Sequence, residues 1–353
     1  MAEIHKYECP SCGGVMEFDI ATQKIKCPYC GTVLAVEEYE ENASESQETK
    51  SNQEWFGEET EGMRVYSCQS CGAEIVAEET TGASFCPYCG NNIMVENQFS
   101  GDLKPNAVIP FQMDKKAAKA AYENHIKGKH FLPKLFKNQN HIDKIQGIYV
   151  PFWLYDVDVH AESSFTGEKT RRYDEGDQYR EVHEVYEIQR GGSLSFQRIP
   201  ADGSKKMDDA LMESIEPYDA SKAVPFSKAY LAGYLADRYD TDAEERKKRM
   251  EQRVKSSAEA CLKNTVQGYN SLSTDSSEIE VEKCTSEYVL LPVWLLNTTW
   301  NGKQFTFAMN GQTGKMVGNL PVDHKAFWLW TVLLTVLFTG GIYGFFALMM
   351  SLA

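Results

Sequence analysis

Residues 9–31 (CPSCGGVMEFDIATQKIKCPYCG) and residues 68–90 (CQSCGAEIVAEETTGASFCPYCG) decide how the first third of this 353-residue chain folds. Each stretch begins with one Cys-x-x-Cys pair and ends with another, at the same spacing. The likeness extends beyond the cysteines, because Cys-Pro-Tyr-Cys-Gly closes both stretches. The sequence therefore predicts an internal duplication of one small module.

Two Cys-x-x-Cys pairs are the ligand pattern of a zinc ribbon, in which two short turns hold four thiolates around the ion at about 2.3 Å. A thioredoxin-type dithiol is the rival interpretation, but it needs one pair in a βαβ context. A unit this small cannot bury enough apolar surface to fold alone, so the metal must stabilise it. We expect two structural zinc ions, ligated by Cys9, Cys12, Cys27 and Cys30 in the first ribbon and by Cys68, Cys71, Cys86 and Cys89 in the second.

The charge distribution argues against nucleic acid as the partner of these ribbons. The chain has a net charge of −15, and residues 65–99 contain neither Lys nor Arg. Phosphate binding needs such cations, and each Zn(Cys)₄ site adds a charge of about −2. Because cysteine fills every ligand position, no open site remains for water or substrate. Protein binding is the expected role of the ribbons.

The C-terminal residues 326–353 (AFWLWTVLLTVLFTGGIYGFFALMMSLA) contain no charged residue. This stretch is long enough to cross a bilayer, although a helix buried in an oligomer core is the alternative. His324 and Lys325 precede it, which by the positive-inside rule predicts a cytoplasmic body. With no signal peptide apparent, we expect a single-pass, tail-anchored protein of the cell membrane. Gly340 and Gly344 form a Gly-x-x-x-Gly pair, which either lets two such helices pack closely in a homo-oligomer or is incidental, since transmembrane helices are rich in Gly.

The chain divides by composition into five predicted segments. The stretch between the ribbons is acidic, Ser-rich and poor in apolar residues, as disordered linkers are. Its apolar island, Trp55 and Phe56, is interpreted either as a docking motif or as packing against the second ribbon. The segments are zinc ribbon 1 (1–36), the linker (37–64), zinc ribbon 2 (65–99), an α+β body (100–325) and a transmembrane anchor (326–350).

The body has the pattern of an α+β domain with two antiparallel β-lobes and intervening helices. Strands are expected over residues 108–111, 147–160, 165–173, 179–189, 193–199, 288–300, 303–309 and 315–318. Turns are expected at Arg190-Gly191-Gly192, Asn301-Gly302 and Asn310-Gly311. Helices are expected from Asp114 to Gly128, over 208–215 and 226–238, and from a capping box of Thr241 and Glu244 to Lys263.

Motifs of known enzymes do not occur in the chain. There is no H-E-x-x-H, no phosphate-binding loop and no G-x-S-x-G. Cys261 and Cys284 are single thiols, which more often act as small buried hydrophobes than as nucleophiles. The sequence predicts a protein that is not an enzyme.

Several motifs together carry a resemblance to a known family. Besides the paired ribbons, they are Gly-Ile-Tyr-Val-Pro-Phe-Trp at 147–153, Ser-Ile-Glu-Pro-Tyr at 214–218 and Ala-Tyr-Leu-Ala-Gly-Tyr at 229–234. With them the chain resembles membrane-anchored zinc-ribbon proteins of firmicutes. Such proteins often carry names taken from the replication-restart helicase or from transcription-factor zinc ribbons, and some are encoded beside phage-shock and SPFH (flotillin-like) proteins.

The resemblance implies a cellular setting more than a mechanism. The expected function is that of a membrane-tethered adaptor, which recruits or organises cytoplasmic proteins in an envelope-stress or SPFH-linked assembly. The alternative is a nucleic-acid-binding or replication-associated protein held at the membrane. A helicase activity is not expected, because the chain lacks a nucleotide-binding loop.

Overall fold

The computed structural model describes residues 4–5, 9–39, 63–67, 74–78, 80–85, 92–95, 103–129, 131–133, 136, 144–176 and 178–352. These form a mixed α+β structure of two compact units. The first unit takes in residues 1–110, 149–213 and 219–292, and the second takes in residues 111–148, 214–218 and 293–353.

Sixteen strands and four α-helices have both ends within the described residues, and residues 36–39 are also helical. The strands are β1 (Ile4–His5), β2 (Glu17–Asp19), β3 (Lys24–Lys26), β4 (Val33–Leu34), β5 (Met63–Ser67), β6 (Glu74–Glu78), β7 (Thr81–Phe85), β8 (Asn92–Val95), β9 (Ala107–Val108), β10 (Gln146–Glu175), β11 (Gln178–Asp202), β12 (Val224–Pro225), β13 (Leu235–Asp237), β14 (Ser271–Trp300), β15 (Lys303–Asn310) and β16 (Met316–Gly318). The helices are α1 (Lys115–Ile126), α2 (Asp209–Ser214), α3 (Ala243–Asn264) and α4 (His324–Leu352), with 3₁₀ turns at Ala220–Lys222 and Lys228–Leu231.

In the first unit, three long strands lie side by side in the order β11, β10, β14. Odd-numbered residues of β10 from Tyr155 to Phe165 are buried, while their even-numbered neighbours face solvent more, as expected when one face of a sheet is covered. Helix α3 supplies that cover. Its buried residues recur every four positions, at Met250, Val254, Ala258 and Leu262, and they pack into one cluster with the β10 residues.

Two smaller sheets and a short extension complete the first unit. Strands β2, β3 and β4 form the sheet of the first predicted ribbon, and β5 pairs with β6. Strand β7 pairs with β8 on one side and with β13 on the other, so residues 81–85 belong to the same sheet as β10.

In the second unit, the last part of β14 continues from Val293 to Trp300 and forms a meander with β15 and β16. The ring of Phe111 packs edge-on against Trp294, and Tyr122 of α1 packs edge-on against Phe307. Asn310 is fully buried and donates from Nδ2 to the carbonyl oxygens of Ile215 and Pro217 at 3.0 and 3.1 Å. These two hydrogen bonds hold the Ser-Ile-Glu-Pro-Tyr motif against the end of β15.

Several predicted elements are confirmed. Helix α1 begins after Asp114, whose side chain accepts from the backbone N–H of Ala117 at 2.7 Å. The Asn301-Gly302 turn has φ values of +50° and +75°, as a two-residue hairpin turn requires. Helix α4 contains a stretch of 21 residues, His324–Gly344, that is long and apolar enough to span a membrane.

Other predicted elements are wrong. Residues 165–173 do not form a separate strand but belong to the continuous β10, and Arg190-Gly191-Gly192 is not a turn but lies within β11. Gly191 and Gly192 pair with Glu162 and Ala161, and the apolar alternation runs in phase from Ile188 to Leu194 across them. Since the alternation does not change phase, the strand has no reason to stop.

The predicted helix over 226–238 is also wrong. That segment contains the 3₁₀ turn Lys228–Leu231, then Gly233 with a φ of +87°, and then β13. The predicted capping box is displaced by one residue, because Asp242, not Thr241, caps α3 by accepting from the N–H of Glu245 at 2.8 Å. The turn expected at Asn310-Gly311 is longer than predicted: β15 ends at Asn310, the chain turns over residues 311–313, and the N–H of Gly314, whose φ is +78°, donates to the carbonyl of Asn310 at 2.9 Å.

Candidate metal centre

The two Cys-x-x-Cys pairs of the first predicted ribbon each form a short turn, and the two turns have the same pattern of hydrogen bonds. The N–H of Cys9 donates to the carbonyl of Gly14 at 2.7 Å, and the N–H of Gly13 donates to the carbonyl of Cys9 at 2.8 Å. The bonds recur in the other turn, from Cys27 to Thr32 at 2.8 Å and from Gly31 to Cys27 at 3.0 Å. Gly13 and Gly31 have φ values of +70° and +80°, where a side chain is strained, so glycine closes both turns.

The two turns bring four sulfur atoms together. Sγ of Cys9 lies 3.5 Å from Sγ of Cys30, and Sγ of Cys12 lies 3.6 Å from Sγ of Cys27. All four sulfurs lie within 4.8 Å of one another. A disulfide would need about 2.05 Å. Four thiolates at about 2.3 Å from a tetrahedral ion would instead be about 3.8 Å apart. The quartet can therefore hold a metal ion.

Burial and hydrogen bonding differ within the quartet. Cys9 and Cys27 are buried, whereas Cys12 and Cys30 are exposed. The hydroxyl group of Thr32 lies 3.1 Å from Sγ of Cys30, and this hydrogen bond, together with those from the backbone of Thr32 and from the neighbouring thiols, lowers the pKa of the Cys30 thiol to about 6. A thiol with a lowered pKa is deprotonated more readily, and the thiolate is the form that binds metal.

Comparison with known proteins shows the family of the chain. No family model matches the chain, and no solved structure matches it significantly. The uncharacterized protein YdjG of Bacillus subtilis (strain 168) is 33% identical over 314 residues, which cover 75% of this chain and 92% of the relative. The chain belongs to the YdjG family.

The ribbon of this YdjG-family chain is packed against the rest of its unit, which sequence reasoning missed. The ring of Phe18 in β2 meets Tyr230 edge-on, with centroids 5.2 Å apart. The N–H of Phe18 donates to the carbonyl of Ala232 at 3.1 Å, and a Cβ on Gly233 would lie 3.5 Å from Glu17. We call residues 229–234, the Ala-Tyr-Leu-Ala-Gly-Tyr motif, the ribbon seat. The sequence predicts a helix over this segment, so it gives no indication of the contact with the ribbon.

The second predicted quartet, Cys68, Cys71, Cys86 and Cys89, lies outside the described residues. In the chain, Cys68 and Cys71 fall between the paired strands β5 and β6, and Cys86 and Cys89 fall between the paired strands β7 and β8. The island Trp55 and Phe56 also lies outside the described residues. The second zinc site therefore remains a prediction from the repeat.

The two single cysteines are not part of the quartet. Cys261 is exposed on α3, and Cys284 is half-buried in β14, where burial raises the pKa of its thiol. Among the residues that the structure describes, the quartet is the one group of three or more Cys, His, Asp or Glu side chains placed to share an ion.

Proposed function

We propose that this chain is a membrane-anchored zinc-ribbon adaptor that recruits a cytoplasmic protein to the cell membrane. The observation that carries the proposal is Tyr29, which lies between Cys27 and Cys30 in the second metal-binding turn and is 74% exposed. A tyrosine this exposed on a rigid turn is a natural anchor for a partner protein, because buried tyrosines dominate the binding energy of many interfaces.

Rigidity of the Tyr29 turn has two sources. A Cβ on Gly14 would lie 2.6 Å from Cδ2 of Tyr29, so the ring rests against the opposite turn. The ion would cross-link both turns, and zinc is the metal that Cys₄ ribbons prefer. We propose zinc in this quartet and a second structural zinc in the Cys68, Cys71, Cys86 and Cys89 quartet. Because both sites would have four thiolate ligands, neither leaves an open position for catalysis, and the proposed role is not enzymatic.

The membrane part of the proposal rests on helix α4. Its apolar stretch of 21 residues spans about 30 Å at 1.5 Å per residue, which matches the hydrocarbon core. The side chains of this stretch are not buried within the chain, as expected of a helix whose solvent is lipid. His324 and Lys325 at its start favour a cytoplasmic body with one membrane pass.

Nucleic-acid binding at the membrane is the competing function. Residues 65–99 offer no Lys or Arg to phosphate, and the proposed zinc–thiolate sites add negative charge. A polyanion-affinity assay at two salt concentrations discriminates between the functions. An affinity for DNA that falls steeply with salt would favour the competitor, whereas the adaptor proposal expects no measurable binding.

The adaptor proposal is tested by Tyr29→Ala in the full chain. Partners are co-purified from detergent-solubilised membranes and quantified by mass spectrometry, with phage-shock and SPFH proteins as the first candidates. We expect the variant to retain its zinc and lose its partner by about tenfold or more, as for a removed interface anchor. Val322→Ala, which trims an exposed side chain outside the ribbon, is the matched control. Undiminished recovery with Tyr29→Ala would contradict the proposal.

A further inference from the structure

The hairpin of β10 and β11 extends beyond the third strand of its sheet. The third strand is β14, and its pairing with β10 ends at Asn270, the residue just before β14. The N–H of Asn270 donates to the carbonyl of Glu168 at 2.7 Å, and its Oδ1 accepts from the N–H of Thr170 at 2.8 Å. Past Thr170, β10 pairs only with β11 in the part of the chain that the structure describes. We call residues 171–176 and 178–184 the hairpin tip. Because an isolated two-stranded hairpin is only marginally stable in water, a third strand paired with the hairpin tip would stabilise it.

Strand β11 offers an open edge for that third strand. It pairs with β10 along one side from Gln178 to Asp202, and within the described ranges no strand pairs with its other side. An unpaired edge presents a row of backbone N–H and C=O groups that a further strand can bond. The edge can therefore accept another strand by β-augmentation.

The sequence along this edge is complementary to itself. Residues 179–185 read Tyr-Arg-Glu-Val-His-Glu-Val. If two copies pair antiparallel about Val182, Arg180 faces Glu184, Glu181 faces His183 and Tyr179 faces Val185. A two-fold axis repeats each of these pairs, and Val182 meets its own counterpart. Opposite charges and apolar pairs directly across an antiparallel ladder are the stabilising combinations.

Exposed apolar side chains lie on the same segment. Tyr179 and Val185 are 59% and 68% exposed. They are six positions apart, an even offset, so they lie on one face of the strand. Ile188 and Leu194, at even-numbered positions, belong to the cluster under α3, which places Tyr179 and Val185 on the opposite face. Self-pairing would bring each Tyr179 beside a Val185 and bury part of both side chains.

We propose that two copies of this chain associate through the outer edges of their β11 strands, in antiparallel register about Val182. The resulting sheet is continuous across a two-fold axis, and the same surface is used by both copies. The charged side chains already have partners within their own chain: Arg180 lies over the ring of Tyr173, and Glu184 pairs with Arg171 at 3.6 Å. They remain partly exposed, so the second copy extends these contacts into a network across the axis.

Charge exchange tests the register. Fluorescence resonance energy transfer between donor-labelled and acceptor-labelled preparations of the full chain in detergent measures the dissociation constant of the dimer. Arg180→Glu or Glu184→Arg alone sets like charges opposite each other twice, so we expect each to raise the dissociation constant by about tenfold. The double variant R180E/E184R restores opposite charges, as does mixing the two single variants, and both should return to within about threefold of the wild type.

A cysteine at the axis tests the geometry directly. Opposed residues in an antiparallel pair have Cα atoms about 4.5–5.5 Å apart, which suits a disulfide. In a C261S/C284S background, Val182→Cys should form an intermolecular disulfide under mild oxidation. Tyr179→Cys alone should not, because its partner is Val185, whereas Y179C/V185C should.

Association through α4 is the competing outcome. Gly340→Leu should leave both the dissociation constant and the intermolecular disulfide of the Val182→Cys variant unchanged. A wild-type chain that stays monomeric, a charge exchange that fails to rescue association, or a Val182→Cys variant that forms no intermolecular disulfide would each overturn the proposal.

Discussion

At the scale of single residues, the carboxyl group of Asp202 is buried with only part of its hydrogen bonding satisfied. Asp202 is only 6% exposed; its Oδ1 accepts from the N–H of Ser204 at 3.0 Å. Its Oδ2 has no hydrogen-bond partner among the residues that the structure describes. Burial disfavours the charged form and raises the pKa of this carboxyl to about 7.

Asp202→Asn is therefore expected to stabilise the protein above neutral pH. Because the folded-state pKa exceeds the unfolded value, Asp202 favours folding most below about pH 4, and this contribution is lost as the pH rises through about 7. At pH 8 the variant should gain roughly 1–3 kcal/mol, and the gain should vanish near pH 4. Thermal unfolding at several pH values measures it. Equal melting temperatures for the two proteins at pH 8 would contradict the burial argument.

Cys27 is the most buried residue of the metal quartet and the clearest test of its occupancy. Cys27→Ser removes one of four ligands from the first site, so we expect zinc to fall from two ions per chain to about one. Plasma emission spectroscopy of the purified full chain measures this. Cys261→Ser is the matched control, since Cys261 lies outside the quartet. An unchanged zinc content, or an iron–sulfur absorbance, would contradict the assignment.

At the scale of elements, the contact between the ribbon and its seat depends on the backbone of Gly233, whose φ is +87°. Gly233→Ala forces a side chain into this left-handed conformation, at a cost of about 1–2 kcal/mol, while its Cβ would lie in ordinary van der Waals contact with Glu17. The ribbon should then detach more often, and hydrogen exchange over residues 16–26 should quicken. Gly128→Ala, with a similar φ of +75° but in the second unit, is the control. Equal exchange in both variants would show that the seat does not hold the ribbon.

The sequence predicts the ribbon better than its surroundings, for a physical reason. The four cysteines lie within 22 residues of one another, and two glycine-closed turns fix their approach, so local spacing is sufficient. The seat depends on Tyr230 and Ala232, some two hundred residues away in the chain. Its single turn of 3₁₀ helix has no periodicity long enough to recognise. The length of β11 was predicted wrongly for a similar reason. Gly191 and Gly192 are typical turn residues, and only their pairing with the distant β10 shows that the strand continues through them.

At the scale of the whole molecule, the two features on which the proposed function rests belong to different units. The cysteine quartet and its seat belong to the first unit, and the apolar helix α4 belongs to the second. If the proposed function holds, recruitment and anchoring can be separated by deletion. Loss of the ribbons removes the partner and leaves the anchor, whereas loss of the anchor leaves the partner bound.

The most direct test of the adaptor account is quantitative fractionation of two deletions in cells. The account predicts that the chain without residues 1–99 remains in the membrane fraction but no longer recovers its partner. It also predicts that the chain without residues 326–353 moves to the cytosol together with that partner. Recovery of the same partner by the ribbon-deleted chain would contradict the account.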